Sequence, residues 1–297
     1  MSERKKSLIA LLIITLALLL IGILEAWLRG ATPPGPPQAI AQAVQAGLKY
    51  RDGVVLLWQV DGNSHWVLGN GQLLEKKFLP GSLMKLITAE AALRQGVDQH
   101  YRCEGHQDWP EGRQDCWIPK GHGNLDLPKA LALSCNLYFS KLGDRLGWDP
   151  LLAVLAEYQL TPNPTLSRNA ESLRKFAIGE AEEFSVTPKT VARFWQQYLK
   201  QIEQPKFQAI REGLSRAATE GTAKAAAGLG LPLLAKTGTA EAVGESYKTH
   251  GWFLGAYPAD HPQWAVMIFL KNAHGYMEPA HLAGEIFQEL SQGEAKP

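Results

Sequence analysis

Three short polar clusters in this chain have the residue types, and the order, needed to activate a serine. Ser82-Leu83-Met84-Lys85, Ser134-Cys135-Asn136 and Lys236-Thr237-Gly238-Thr239 follow one another at wide separations. A serine hydroxyl is a poor nucleophile until a neighbouring group takes its proton. Lys85 stands three residues after Ser82, so on a helix the two share one face. A lysine in a dry, crowded site loses much of its preference for the charged form and can act as that base. Ser134 and Asn136 are small polar groups among apolar neighbours, where buried polar atoms must find partners. Lys236, Thr237 and Thr239 offer a charge and two hydroxyls suited to a carboxylate, and Gly238 leaves room for a substrate backbone. Each cluster alone has a plainer reading as a helix cap, a turn or a surface charge. Together they describe an enzyme that is acylated on Ser82.

The elements that must hold these clusters are visible in the flanking residues. Leu83 to Leu93 is mostly apolar and reads as a buried helix that starts at Ser82. Pro128 suits the first turn of a second buried helix, which is interrupted near Ser134. Leu231 to Ala235 leads into the Lys-Thr-Gly-Thr cluster, and His250 to Tyr257 follows as a second strand, giving an antiparallel hairpin beside a cleft. Edge amides of that hairpin can pair with an extended peptide. Residues 53–60 and 264–270 are strand-like, and a last helix is expected over about 279–290. Strands at both ends with helices between them predict an α+β fold, one antiparallel sheet covered by helices with an all-helical lobe.

With those motifs in place, the chain resembles the transpeptidase domain of penicillin-binding proteins, nearest in kind to class B. The likeness extends to Cys116-Trp117 with Gly121-His122-Gly123, to Ile178-Gly179-Glu180 with Val186-Thr187-Pro188, and to Glu220-Gly221-Thr222-Ala223. It runs from about Asp52 to about Gly275. Two departures stand out: Gly179-Glu180-Ala181 replaces the family's frequent Gly-Gln-Gly, and the large N-terminal module of class B members has no counterpart here. The resemblance implies that Ser82 attacks a penultimate D-alanine carbonyl in a peptidoglycan stem peptide, with Lys85 as base. It also implies Ser134 as relay, Asn136 on the substrate amide, and the Ser82 and Thr239 amides as oxyanion hole. Lys236, Thr237 and Thr239 would take the terminal carboxylate, beside Gly238. β-Lactams would trap Ser82 as an ester. Alternatives are a D,D-carboxypeptidase, a β-lactamase, or a sensor or scaffold that binds β-lactam or wall peptide. A class A deacylating Glu-x-x-Leu-Asn segment is absent from the sequence, and Asn136 stands where class D enzymes usually carry a hydrophobic residue. No metal or organic cofactor is expected.

Arg4, Lys5 and Lys6 precede an uncharged apolar stretch over residues 7–24. About 18 or more such residues span a bilayer, and the basic flank stays in the cytoplasm. A cleaved signal peptide is the competing reading, but its apolar core is usually shorter, and Glu25-Ala26-Trp27-Leu28-Arg29, just after the stretch, is too bulky and charged for a convincing Ala-x-Ala site. The expected organisation is a cytoplasmic tail over 1–6, a transmembrane anchor over 7–28, a proline-rich linker over 29–40 and a catalytic domain over 41–297. That domain would lie on the extracytoplasmic, periplasmic side of the inner membrane, with cell-wall synthesis proteins as candidate partners. A net charge of +1 gives no footprint for nucleic acid. In an oxidising compartment Cys103 and Cys116 are candidates for a bridge, and Cys135 reads as a free core thiol. The cysteine spacing does not match a C-x-x-C metal motif. His122 and His250, near the motifs, read as structural.

Overall fold

Residues 264–270 form one unbroken apolar run because both faces of their strand are covered. The computed structural model describes residues 35–294, apart from Asn63, Leu229 and Ser246. In it β1 (Gly53–Gln59), β2 (His65–Gly69), β7 (Leu234–Glu241), β8 (Thr249–Tyr257) and β9 (Trp264–Lys271) make a five-stranded sheet. The order is β2-β1-β9-β8-β7, with every neighbouring pair antiparallel. Alternate residues of β9 serve two cores: Ala265, Met267 and Phe269 face one, and Val266, Ile268 and Leu270 the other. The α+β arrangement expected from the sequence is therefore present.

One face is closed by α1 (Gln38–Gly47) and α10 (Glu278–Glu294), whose Ile40, Val44, Leu282 and Ile286 share a core with β1 and β9. Helix α1 begins inside the stretch read as linker. The other face carries the helical lobe: α2 (Met84–Arg94), α3 (Leu127–Ala132), α4 (Asn136–Leu146), α5 (Trp148–Glu157), α6 (Ala170–Ile178) and α7 (Pro188–Gln201). Later in the chain come α8 (Gln208–Thr219) and the short α9 (Lys224–Ala227), whose Ala217, Ala218, Ala226 and Ala227 belong to the core beneath α1 and α10. Helix α2 is buried on every side from Met84 to Ala92 and is the hub of the lobe. Tyr198 Oη donates to Leu86 O at 2.9 Å, and Trp195 Nε1 donates to Gly255 O at 3.0 Å, so α7 ties the hub to the sheet.

Two small pairings had no clear sequence signal. β3 (Tyr101–Cys103) pairs with β6 (Gly123–Leu125), and β4 (His106–Trp109) forms a hairpin with β5 (Gly112–Asp115). They are short and polar, so no two-residue alternation marks them. Among the described residues no helix is long and apolar enough to cross a membrane. The anchor expected over 7–28 lies outside the described residues.

Candidate active site

Ser82 sits in a tight turn, Gly81–Leu83, that feeds directly into α2. The turn is wedged between two other segments. Gly81 has φ +52°, and a Cβ there would lie 2.4 Å from the Thr239 carbonyl oxygen of β7. Gly179, the left-handed cap of α6 at φ +83°, would place a Cβ 1.9 Å from Gly81 O. Only glycine satisfies both the backbone angle and the space at these two positions.

Lys85 lies one helical turn beyond Ser82 and is fully buried. Its Nζ donates to Ser82 Oγ at 3.0 Å, to Ser134 O at 2.8 Å and to Asn136 Oδ1 at 2.5 Å. It also reaches Ser134 Oγ at 3.3 Å. The helix expected around Ser134 does break there: α3 ends at Ala132, Ser134 has φ +51°, and α4 starts at Asn136. This left-handed corner turns the Ser134 carbonyl and the Asn136 amide toward the same amine.

The third cluster lies on β7, the edge strand of the sheet, paired with β8 as the predicted hairpin requires. Lys236 Nζ, fully buried, donates to Ser134 Oγ at 3.0 Å and to Thr237 O at 2.6 Å. Ser134 Oγ thus stands between two lysine amines. Thr237 Oγ1 bonds Thr222 Oγ1 at 2.6 Å, and Gly275 N donates to Thr239 Oγ1 at 3.0 Å. At Gly238 the missing side chain makes room for protein: a Cβ would meet Leu83 Cγ at 3.1 Å and Pro80 O at 3.2 Å. Gly238 thereby lets the serine turn pack against the strand.

Burial dominates the electrostatics. It lowers the Lys85 pKa to about 8, against the opposing charges of Cys135, Glu180 and Cys116. Burial, helped by the charge on Lys85, pushes Lys236 well below the ordinary lysine value. A Lys85 pKa of about 8 leaves roughly one tenth of that amine neutral beside Ser82 at pH 7, and a larger share above it. The arrangement can deprotonate Ser82 at Lys85 and pass protons through Ser134 without a histidine.

The family model for the penicillin binding protein transpeptidase domain matches residues 68–292, well over half of the chain. The chain belongs to that family. Stage V sporulation protein D of Bacillus subtilis is 27% identical over 252 residues, covering 67% of this chain and 39% of that protein. Peptidoglycan D,D-transpeptidase PbpA of Mycolicibacterium smegmatis is 24% identical over 250 residues, covering 67% of this chain and 51% of that one. The chain thus spans only about two fifths and one half of these curated relatives. Among solved structures, the transpeptidase domain of Burkholderia pseudomallei penicillin-binding protein 3 shares the fold with a TM-score of 0.74 and 17% identity. That match covers 89% of this chain and 99% of the domain.

Within this transpeptidase domain, all the motif residues converge, and further residues join them that sequence reasoning did not assign to the site. Glu180, at the altered family position, accepts from Asn136 Nδ2 at 3.2 Å. Thr222, in the Glu-Gly-Thr-Ala segment, anchors Thr237. Trp117 and Tyr276, both exposed, stack with ring centroids 6.4 Å apart, and Trp117 Nε1 donates to Leu133 O just before Ser134. His250 is buried edge-on against Phe78, in keeping with a structural place. The anticipated Cys103–Cys116 bridge is not formed: all three cysteines are free and buried. Cys135 is the free core thiol expected, and it lies beside Cys103, Cys116 and His122. The sequence showed no ligand cluster because these four residues are spread over 33 positions.

Proposed function

We propose that this chain is an acyl-serine D,D-transpeptidase that cross-links peptidoglycan stem peptides and is acylated by β-lactams. The observation that carries this reading is the buried Lys85 amine, 3.0 Å from Ser82 Oγ, with Ser134 Oγ within reach of both lysines. Ser82 Oγ attacks the carbonyl carbon of the penultimate D-alanine while its proton passes to Lys85. The Ser82 and Thr239 amides receive the developing oxyanion, a role worth about 3–4 kcal/mol per donor in comparable sites. Contact between Gly81 and Thr239 supports that pairing. The C–N bond then breaks, and Ser134 delivers a proton to the departing D-alanine amine. Asn136 holds the substrate amide, and Lys236, Thr237 and Thr239 hold the terminal carboxylate beside Gly238. The free edge of β7 supports an extended donor peptide. An amine from a neighbouring stem peptide displaces Ser82 to form the cross-link; water in its place would give a carboxypeptidase product.

The organisation proposed with this activity is an anchor over 7–28, a linker over 29–40 and a catalytic domain over 41–297 outside the inner membrane. Other cell-wall synthesis proteins would be its partners there. The test is intact-protein mass spectrometry after incubation with benzylpenicillin, beside Ser82→Ala. A stable adduct of the drug's mass in the parent chain alone is expected. Rapid drug consumption without a lasting adduct would replace this reading with a β-lactamase, and no reaction at all would remove the acylation mechanism. Products from a stem-peptide donor with and without an amine acceptor then separate cross-linking from hydrolysis.

A further inference from the structure

Behind the Ser134–Asn136 corner lies a second constellation that the acylation chemistry does not use. Cys103 ends β3, Cys116 follows the β4–β5 hairpin, His122 precedes β6, and Cys135 caps α4. Four separate segments thus deliver three thiols and one imidazole to one point. Their donor atoms all lie within 4.8 Å of one another. We propose that Cys103, Cys116, His122 and Cys135 form a closed tetrahedral zinc site that fixes the corner bearing Ser134 and Asn136.

The spacing fits the ion. Zinc–sulfur bonds of about 2.3 Å and zinc–nitrogen bonds of about 2.0–2.1 Å give tetrahedron edges of about 3.8 Å between sulfurs and about 3.5 Å between nitrogen and sulfur. Here Cys116 Sγ and Cys135 Sγ are 3.9 Å apart, and Cys116 Sγ lies 3.4 Å from His122 Nδ1. A disulfide needs about 2.05 Å between sulfurs and would leave the third thiol unused. The Cys₃His set is soft and complete, which favours a structural zinc over a hard oxygen-loving cation. The loops are shaped around the point. Gly105 and Gly121 have φ +93° and +75°, and a Cβ on either would run into the other loop, 1.9 Å from Pro119 O or 2.2 Å from Cys103 O. Binding releases the thiol protons to solvent and leaves three thiolates on the cation.

The consequence for the active site is positional. Cys135 is covalently between Ser134, which holds a costly φ of +51°, and Asn136. Fixing the Cys135 sulfur holds that corner against relaxation, so the two groups stay aimed at Lys85. This inference rests on the cluster alone and stands whichever acyl-transfer product the enzyme makes.

The test uses the full chain purified without chelator. Inductively coupled plasma mass spectrometry is expected to find one zinc per chain, and Co²⁺ exchanged into the site should give the charge-transfer absorption of a tetrahedral thiolate complex. Chelation should lower the melting temperature and slow acylation by a fluorescent penicillin, and added Zn²⁺ should restore both. Cys103→Ser, remote from the reacting atoms, should lose the metal; should that variant not fold, the cobalt spectrum of the parent chain decides alone. Three titratable thiols with no zinc taken up on reconstitution would overturn the proposal. So would a cysteine–cysteine bond in a non-reducing peptide map, or a cobalt spectrum without thiolate bands.

Discussion

Acylation should lose rate as pH falls through about 8, because Ser82 can give up its proton only to a neutral amine. Burial lowers the Lys85 pKa to about 8, and the groups facing it are Glu180, Cys135, Cys116 and Lys236. A lysine held below its ordinary value of 10.5 is protonated below the depressed value and free above it. A base of pKa about 8 is about half neutral at pH 8 and about 1% neutral at pH 6, so the second-order acylation rate should drop about 50-fold between them. Above pH 9 the profile should level off. Stopped-flow acylation by a fluorescent penicillin over pH 5.5–10.5 measures this (a range on the order of two units either side of the transition), with circular dichroism confirming the fold at each point. Lys85→Met should lie about 10²–10⁴-fold below the parent at the plateau, without the acid limb. A rate still rising tenfold per unit beyond pH 9 would mean that burial does not lower the Lys85 pKa. A flat profile from 6 to 8 would remove Lys85 as the base.

The other predictions follow from the groups around this pair. Glu180→Gln removes a carboxylate that raises the Lys85 pKa. For a partly exposed charge pair worth about 0.2–1 kcal/mol, the acid limb should move down by about 0.1–0.7 units at about 1.4 kcal/mol per unit. An upward move in the same stopped-flow assay contradicts that electrostatic account. Gly179→Ala forces a side chain into the left-handed region and to 1.9 Å from Gly81 O, so it should cost at least about 1–3 kcal/mol in urea unfolding and displace Ser82. A change under about 0.5 kcal/mol, the range of neutral surface substitutions, would show that the α6 cap does not brace the serine turn. Glu90 is buried in α2 and accepts from Tyr158 Oη at 2.8 Å, from Arg94 and from Gln201. Glu90→Ala strips the acceptor from three donors at once and should destabilise the domain by about 2–4 kcal/mol. Arg94 also pairs with Glu157, which is why the lower part of that span is expected; equal stability of the two proteins would contradict the network.

What could be read from the sequence divides along a physical line. Ser82 and Lys85 were legible because one helical turn both fixes their spacing and brings them together, so local chemistry and local geometry coincide. The break at Ser134 was legible for a similar reason, since a polar pair inside an apolar helix must find a buried partner. The 264–270 strand was legible because burial on both faces writes itself as an apolar run. Where position depends on another segment, the residues alone were silent. Glu180 meets Asn136 across 44 residues, and Thr222 meets Thr237 across the turn into β7. Gly238 shows the subtlest form of this limit. Its lack of a side chain reads in the sequence as room for a substrate backbone, whereas Leu83 and Pro80 of the serine turn are what lie against it in the fold. The cysteines carry the limit furthest. No pair of them has ligand spacing, because β3, β6, the β4–β5 hairpin and the cap of α4 must each be in place before four donors share one point. A cluster assembled only by tertiary folding leaves no motif, and its placement against the Ser134 corner makes the fold itself part of how the active site is held.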